Sequence, residues 1–426
     1  MSAAQSNLWH STAAERIEAV ALSSSQTGQS RFDLVIIGGG FTGCAAALEG
    51  ARMGASVCLL EAETIGHGGS GRNVGLVNAG LWLPPDKIIA QVGEAAGSKL
   101  IEILGKAPDR VFELIQRENI ACEATRSGTL HCAHSQKGFA ELSARHAQGN
   151  RFGAPLQLLD APQAAARIGS DAFCGALWDP RAGTIQPLAY CLGLARAAET
   201  AGASLHERSP VSDITKQGQD WEVHANGTSI RASALLLATN AYHLGIAPPI
   251  KPQFTPVHYS QFATAPMDES ARNSILAGGE GCWDTAQIMT SFRVDHAGRM
   301  IIGGIGNAQG AGGAIHSAWA RRKLARLFPQ IADLPFEHAW QGKIAMTSDY
   351  IPKIVEFGPK GYACFGYSGR GIGPGTTFGT EAAKALLTGD ASGLPLAPIA
   401  NHSERFTTLK AGFYEMGASL THALSR

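Results

Sequence analysis

The sequence predicts an α/β protein joined to a second, α+β domain with a mixed sheet. Three observations carry that expectation. Residues 33–61 (DLVIIGGGFTGCAAALEGARMGASVCLLE) set an apolar, mostly β-branched run, a glycine-rich turn, a small-residue helix pattern and a short second strand in the order of a βαβ unit. At 426 residues the chain is too long for one compact core, so two domains are expected. The composition shifts at Pro248 and Pro249, beyond which Val257 to Gly304 reads as several strands and His316 to Phe328 as a helix.

In the βαβ unit, Leu34 to Ile37 form the first strand and Ser56 to Leu60 the second. The intervening Gly38, Gly39, Gly40, Phe41, Thr42 and Gly43 make a GxGxxG turn in which each glycine has a separate task. Gly38 allows the tight turn, Gly40 lets backbone approach a pyrophosphate, and Gly43 lets helix pack closely on strand. The pyrophosphate would meet the free N–H groups and positive dipole end of the helix. Glu61 closes the second strand at the offset where a carboxylate accepts hydrogen bonds from ribose hydroxyls; it would repel a 2′-phosphate, which disfavours NADP. A lone glycine turn is weak evidence, but here strand, helix, strand and terminal acid are all present.

Composition narrows the class further. Hydrophobic content of 45% with 16% charged residues suits a soluble enzyme, and 51 glycines without a repeat indicate tight turns and close backbone approaches. Thirty-five basic and thirty-five acidic residues cancel, so nothing favours nucleic acid or an anionic membrane. The eight cysteines form no CxxC pair and read as free core thiols in a reducing compartment. The first 30 residues lack a basic segment followed by a long apolar one, and no stretch approaches about 18 uninterrupted apolar residues. A cytoplasmic protein without a transmembrane segment is expected.

Residues 1–30 read as a surface arm, with a short helix from Ala13 to Leu22 and a polar Ser/Gln/Gly linker. Gly66 to Gly75 is a second glycine-rich loop (GHGGSGRNVG) that can lay backbone N–H groups against a cofactor. From Asp86 to Gln148 the pattern is helical, with amphipathic stretches at Lys99 to Glu118 and Phe139 to Ala147 around a strand-like Gly128 to Cys132. Ala176 to Glu207 combines a strand, a turn and a helix ending at Gly202; Val211 to Tyr242 alternates in period two, with turns at Lys216 to Gly218 and at Asn226-Gly227. Further strands are expected at Tyr259 to Thr264, Ile288 to Asp295, Arg299 to Gly304, Gly342 to Thr347 and Tyr362 to Gly366. The last leads through a glycine-rich loop, Gly366 to Gly375, into a helix from Thr376 to Leu387, again an anion-binding geometry.

Set in order, these pieces resemble the D-amino-acid-oxidase-like family of FAD-dependent oxidoreductases, nearest its gamma-glutamylputrescine oxidase type. The resemblance covers Asp33 to Gly389 and rests on five segments: GGGFTG with Glu61, GGSGRNVG, ALLLATNAY, SFRVDHAGRMIIGG, and WQGKIAMTSDYIPKI with GYSGRGIGPGTTFGTEAAKAL. It implies an FAD-binding Rossmann-like domain built from separated segments (31–85, 150–250 and 340–426) and a mixed-sheet substrate domain (86–149 and 251–339). It also implies cofactor contacts. Gly38, Gly40, Phe41, Thr42 and Gly43 correspond to the pyrophosphate turn, and Glu61 with Ala62 to the ribose site. Ser70, Gly71, Arg72, Asn73, Gly75 and Leu76 correspond to the loop beside pyrophosphate and flavin. Val211 corresponds to the adenine neighbour, Thr239 and Asn240 to the strand end beside the cofactor, and Gly369, Arg370, Gly371, Ile372 and Gly373 to the loop at the flavin's pyrimidine edge. Three departures stand out: Arg370 where relatives tend to have histidine, Val74 where they have glycine, and Ile372-Gly373-Pro374 where sarcosine oxidases place a carboxylate-holding lysine.

Flavin oxidation of an amine needs little side-chain acid–base machinery, because the cofactor takes a hydride from the carbon beside nitrogen and the product imine hydrolyses unaided. The absence of a Ser/His/Asp set fits that chemistry. His131 and His134 lack the clustered partners of a metal site and read as ordinary polar positions. The spacing of His67 to the serine-glycine pair does not match relatives with covalent flavin, so non-covalent FAD is expected. Arg370 and Arg293 are the candidates for gripping a substrate carboxylate, each against a structural role. Tyr259, Gln261, Trp340 and Tyr367 are candidate pocket walls, each against plain packing. The expected activity is oxidation of a C–N bond in a small amine or amino acid to an imine, with oxygen or a carrier as electron acceptor. The alternatives are a D-amino-acid or cyclic-imino-acid dehydrogenase feeding a quinone, and a flavin-binding protein without turnover.

Overall fold

The computed structural model describes residues 6–23, 31–243, 245–246 and 250–425; the expected polar linker and the Pro248-Pro249 pair lie outside them. From the N-terminus run α1 (Leu8–Thr12), β1 (Arg31–Ile37), α2 (Phe41–Arg52), β2 (Val57–Leu60), β3 (Leu76–Val77), α3 (Pro85–Val92), α4 (Glu94–Gly105) and α5 (Ala107–Arg117). There follow β4 (Thr129–Cys132), α6 (Gln136–Arg151), β5 (Gln157–Leu159), α7 (Ala161–Ile168), β6 (Ala176–Asp179), β7 (Gly183–Thr184), α8 (Pro187–Thr200) and β8 (Ser204–His206). The expected meander is β9 (Val211–Gln217), β10 (Asp220–Ala225) and β11 (Thr228–Leu237). Beyond it come β12 (Thr255–Pro266), α9 (Glu269–Arg272), β13 (Gly281–Asp284), β14 (Thr290–Val294), β15 (Arg299–Ile305), α10 (Gly313–Leu327) and β16 (Phe336–Met346). The chain closes with β17 (Lys353–Gly358), β18 (Gly361–Phe365), α11 (Ile372–Thr388) and α12 (Thr407–Leu424).

One sheet has the order β17-β18-β11-β1-β2-β8, with β18, β11, β1, β2 and β8 parallel and β9 and β10 attached off β11. Leu34 to Ile37 and Leu235 to Leu237 are buried, as parallel strands covered on both faces require. Ile37 is in register with both Leu60 and Leu237, so three strand ends open onto one edge, the crevice where α/β sheets bind ligands. Helix α11 crosses α2 so closely that a Cβ on Gly379 would lie 2.1 Å from the Thr42 carbonyl oxygen.

The second sheet runs β16-β12-β15-β14-β13-β4-β6-β5. One face buries Phe262, Phe292, Ile302, Leu130 and Cys282 together with Ala164, Ala271, Trp319 and Leu324 from α7, α9 and α10. The registers place Trp340, Gln261, Gly303, Ser291, Trp283, His131 and Leu177 in one row across seven strands, and alternation turns that row to the opposite face.

Several expectations need correction. The arm's helix is Leu8–Thr12, and residues 13–22 are not helical. Tertiary contacts override local propensity there: Trp9 is fully buried, and Glu15 reaches out to the Arg196 guanidinium and the Ala121 N–H. The sheets also divide the chain differently. Strands β5 and β6 pair into the second sheet, so residues 157–179 lie with it, and β16 carries that sheet past residue 340. Conversely Leu100, Leu104, Ala107 and Val111 join the core of the first sheet, because the apolar faces of α4 and α5 pack towards α11. Strand β17 and helix α12 are further elements; α12 packs on α10 and β12 and leaves Leu409, Phe413, Met416 and Leu420 exposed.

Candidate cofactor and substrate site

At the carboxyl end of β1 the chain turns where only glycine fits. Gly38 has φ +110°, and a Cβ on Gly43 would lie 1.9 Å from the Gly38 oxygen. Gly40 faces the second glycine loop, where its Cβ would come within 2.8 Å of the Ser70 Oγ. The same hydroxyl accepts the Phe41 N–H at 3.0 Å, which ties the helix N-terminus to that loop. Glu61 Oε2 accepts the Gly39 N–H at 2.6 Å and Oε1 the Glu63 N–H at 3.0 Å. Burial raises this carboxyl's pKa above its ordinary value against those two hydrogen bonds. Beside Glu61, Ala62 is half-buried, and the Ser209 N–H donates to the Glu61 backbone oxygen two residues before Val211.

The second loop is pinned from both sides. The Asn73 side chain donates to the Gly69 and Ser70 carbonyls and accepts the Gly75 N–H at 2.8 Å. Arg72 Nε donates to the His67 carbonyl, Trp340 Nε1 donates to the Arg72 carbonyl at 3.0 Å, and a Cβ on Gly71 would meet the Gly66 oxygen at 2.4 Å. The N-terminal arm closes the other side: Trp9 Nε1 donates to the Asn73 carbonyl and Asn7 Nδ2 to the Gly71 carbonyl. Leu76 presses onto the second sheet where a Cβ on Gly281 would lie 2.0 Å from Leu76 Cδ2. His67 stands edge-on to Tyr242.

Arg293 lies beneath this loop, fully buried, with Nη1 donating to the Ile185 carbonyl at 2.5 Å and the Gly75 carbonyl at 3.4 Å and its guanidinium 5.9 Å from the Trp9 ring. That is a structural position. Trp340 and Gln261 share one row of the sheet face, and Tyr259 sits two residues along β12 with its hydroxyl bonded to Ser291 Oγ and the Gly303 carbonyl. Tyr367 is wedged between helices, its hydroxyl 2.8 Å from Thr42 Oγ1 and its ring edge-on to Phe378. None of these five lines the cavity described below. At the strand ends Thr239 Oγ1 meets His243 Nδ1, and Asn240 Oδ1 accepts the Gly366 N–H at 3.0 Å. In the third loop Gly369 has φ +89° and Gly371 faces open space, and α11 begins at Ile372 with Gly373 in its first turn against Ala107.

A cavity of about 260 Å³ opens between the second sheet, the segment after β3, helices α3, α4 and α6, and Arg370. The buried Arg370 guanidinium lies 4.8 Å from the Trp283 ring and 5.3 Å from the Trp82 ring, and its Nη1 donates to the Ala79 carbonyl at 3.2 Å. Desolvation lowers its pKa to about 9, with repulsion from Arg145 adding to the effect. Arg145 enters from α6 and donates to the Trp82 carbonyl; desolvation lowers its pKa to about 10. Since a guanidinium keeps its proton in proteins, these shifts express a cost of burying charge. His131 stacks on Trp283 at 4.9 Å; desolvation, then Arg145 and Arg370, hold its pKa well below the ordinary value, which leaves the ring neutral. Sequence reasoning missed Arg145, Trp82, Trp283 and the role of His131. Arg145 had a readable signal: it occupies the inward stripe of α6, in step with the buried Gly138, Leu142 and Gly149.

The family model described as FAD dependent oxidoreductase (DAO) matches residues 33–385. The chain belongs to this DAO family of FAD-dependent oxidoreductases. It is 30% identical over 365 residues to the probable oxidoreductase OrdL of Haemophilus influenzae, covering 84% of this chain and 83% of that protein. It is 29% identical over 404 residues to the gamma-glutamylputrescine oxidoreductase of Escherichia coli, covering 91% of each. The structure of glycine oxidase from Geobacillus kaustophilus superposes with a TM-score of 0.72 at 21% identity, over 88% of this chain and all of that one. As a DAO-family member the chain is an enzyme with an FAD-binding fold. Its residues suit that cofactor: a glycine cradle that a Cβ would fill, a helix N-terminus facing it, and a buried carboxylate at the adjoining strand end. All eight cysteines are free thiols, and among the described residues no helix is long and apolar enough to cross a membrane and no group of three or more His, Cys, Asp or Glu could hold a metal.

Proposed function

We propose that the chain oxidises the C–N bond of a small amine or amino acid to an imine, which water hydrolyses to a carbonyl compound and ammonia or an amine. Bound non-covalently, FAD would accept the hydride and pass its electrons to oxygen or a carrier. Gly38, Gly40 and Gly43 with Phe41 and Thr42 would hold the pyrophosphate; Glu61, beside Ala62, would take the ribose hydroxyls. Ser70 to Asn73, Gly75, Leu76 and the Gly369 to Gly373 loop would frame the ring, with Val211, Thr239 and Asn240 beside the cofactor. The E. coli and G. kaustophilus relatives, and an L-proline dehydrogenase from P. horikoshii with TM-score 0.69, are named for amine or amino-acid chemistry.

The observation that carries the reading is Arg370 itself. It stands against Trp283 in a cavity that also reaches Asn78, the residue directly after the β3 segment that follows the second glycine loop, with the Trp82 ring 5.3 Å from its guanidinium. Aromatic walls desolvate a substrate there, and a guanidinium with unused donors orients one acidic end of it. His131, kept neutral, offers a ring nitrogen instead of a third positive charge, which suits a substrate that must present an uncharged amine. Free thiols and the lack of a membrane-crossing helix among the described residues support a cytoplasmic location. The test is an anaerobic screen of amines and amino acids for bleaching of the flavin absorption band. A protein that carries FAD but is bleached by none of them, while bleached by a 2-hydroxy acid or a glycerol phosphate, would replace amine oxidation with alcohol oxidation.

A further inference from the structure

The cavity holds more positive charge than its own residues neutralise. Neither Arg370 nor Arg145 forms an ion pair among the described residues. The carboxylate nearest in effect, Asp179, is held in a two-pronged pair by Arg181, through Nε at 2.9 Å and Nη2 at 2.7 Å. The other wall carboxylates, Glu102 and Asp109, pair with Lys106 and Arg126. Each cavity guanidinium spends one bond on a backbone carbonyl, Ala79 for Arg370 and Trp82 for Arg145, and a guanidinium has five donors. Two more buried polar atoms stand without partners in the same wall, His131 Nδ1 and Trp283 Nε1. An uncompensated buried pair of like charges is costly, and a ligand that supplies the missing anions relieves it.

We propose that the substrate carries two acidic groups: an amine or amino acid with two carboxylates, one gripped by Arg370 and the other by Arg145. This rests on the reading of the cavity as the substrate site. One carboxylate would leave a guanidinium unmatched, and the substrate's own nitrogen adds no negative charge. Two carboxylates balance the two arginines and leave the unpartnered His131 Nδ1 for the substrate N–H. At about 260 Å³ the cavity is just smaller than the roughly 300–1,000 Å³ of ligand pockets, so the two acids are separated by a short chain.

The test uses the FAD-loaded enzyme and dead-end ligands that cannot be oxidised: succinate, glutarate and adipate, each beside its monoamide. Binding is read from the perturbation of the flavin spectrum and from the ligand-induced rise in melting temperature. At least one diacid should bind about tenfold or more tightly than its monoamide. Arg145→Gln should erase that preference by weakening diacid binding far more than monoamide binding; Arg145→Lys should restore part of it. FAD content and the ligand-free melting temperature identify a variant that has misfolded, in which case Arg145→Lys alone decides. Equal binding of diacid and monoamide, no binding of any diacid, or a preference that survives in both variants overturns the proposal. The two readings fail separately. A diacid preference without bleaching by any amine removes amine oxidation only, whereas bleaching by monocarboxylic amino acids without a diacid preference removes this inference only.

Discussion

Glu61→Gln tests the carboxylate proposed to hold the ribose with the least change of shape. The carboxylate accepts two backbone N–H groups, from Gly39 at 2.6 Å and Glu63 at 3.0 Å. An amide can serve one of them with its oxygen and must turn an NH2 towards the other, so one charge-assisted bond becomes a donor facing a donor. Such a bond is worth about 1.5–3 kcal/mol, and the ribose hydroxyls lose the same kind of acceptor. Since about 1.4 kcal/mol is a factor of ten, FAD should bind at least about tenfold more weakly. The assay is titration of the apo-protein with FAD, followed by flavin fluorescence. Burial gives a second signature through pH. The carboxyl's pKa lies above 4.5 in the folded apo-protein, so FAD affinity of the wild type should fall as acid protonates Glu61 through that raised pKa. Apo-protein stability moves oppositely: the contribution of this group is fully present below 4.5 and is lost as pH rises through the folded-state pKa. Unchanged FAD affinity in Glu61→Gln, or the same pH dependence in variant and wild type, would refute the assignment.

Other perturbations follow from the same geometry. Gly43→Ala puts a Cβ 1.9 Å from the Gly38 oxygen and should yield protein without bound FAD; a stoichiometrically yellow variant contradicts the close strand–helix contact. Trp9→Ala removes a fully buried ring whose Nε1 holds the Asn73 carbonyl, so urea unfolding should show a loss of about 3–5 kcal/mol with weakened FAD retention, and a surface-like effect under 0.5 kcal/mol would show the arm to be dispensable. Arg293→Gln should cost about 1–3 kcal/mol by freeing the Ile185 and Gly75 carbonyls, while the ratio of KM values for an acidic substrate and its amide stays as in wild type; a change in that ratio would return Arg293 to the substrate site.

What the sequence disclosed and what it hid differ in range. The βαβ unit is local: strand, turn, helix and the acid at Glu61 fall within 29 residues, and the structure keeps all of them with the Gly39 N–H on the Glu61 carboxylate. The meander was legible for the same reason, with Asn226 and Gly227 both at positive φ in its second turn. Arg293 stayed open between a substrate and a structural role because its partners are remote; the Ile185 carbonyl is 108 residues away, and nothing in SFRVDHAGR announces that the side chain turns under Gly75. The arm was misread because a helix pattern at Ala13 to Leu22 says nothing of a tryptophan slot between Asn73 and Trp340.

The cavity of Arg370 and Arg145 sits between these cases. Trp283 and His131 become neighbours only through the parallel pairing of β13 with β4, 152 residues apart in chain and outside any periodicity argument. Arg145 differs, because the helix period alone places it inward with Gly138, Leu142 and Gly149. A charged residue at an inward position of an amphipathic helix needs a partner, and here the chain provides a backbone carbonyl but no carboxylate. Arg370 raises the same question from the other end of the sequence, in a glycine-rich loop. Each arginine alone is compatible with a structural salt bridge. Together in one cavity, with the Asp179 carboxylate already claimed by Arg181, they leave among the described residues a charge imbalance that packing does not remove, and an anionic ligand is the proposed means of removing it.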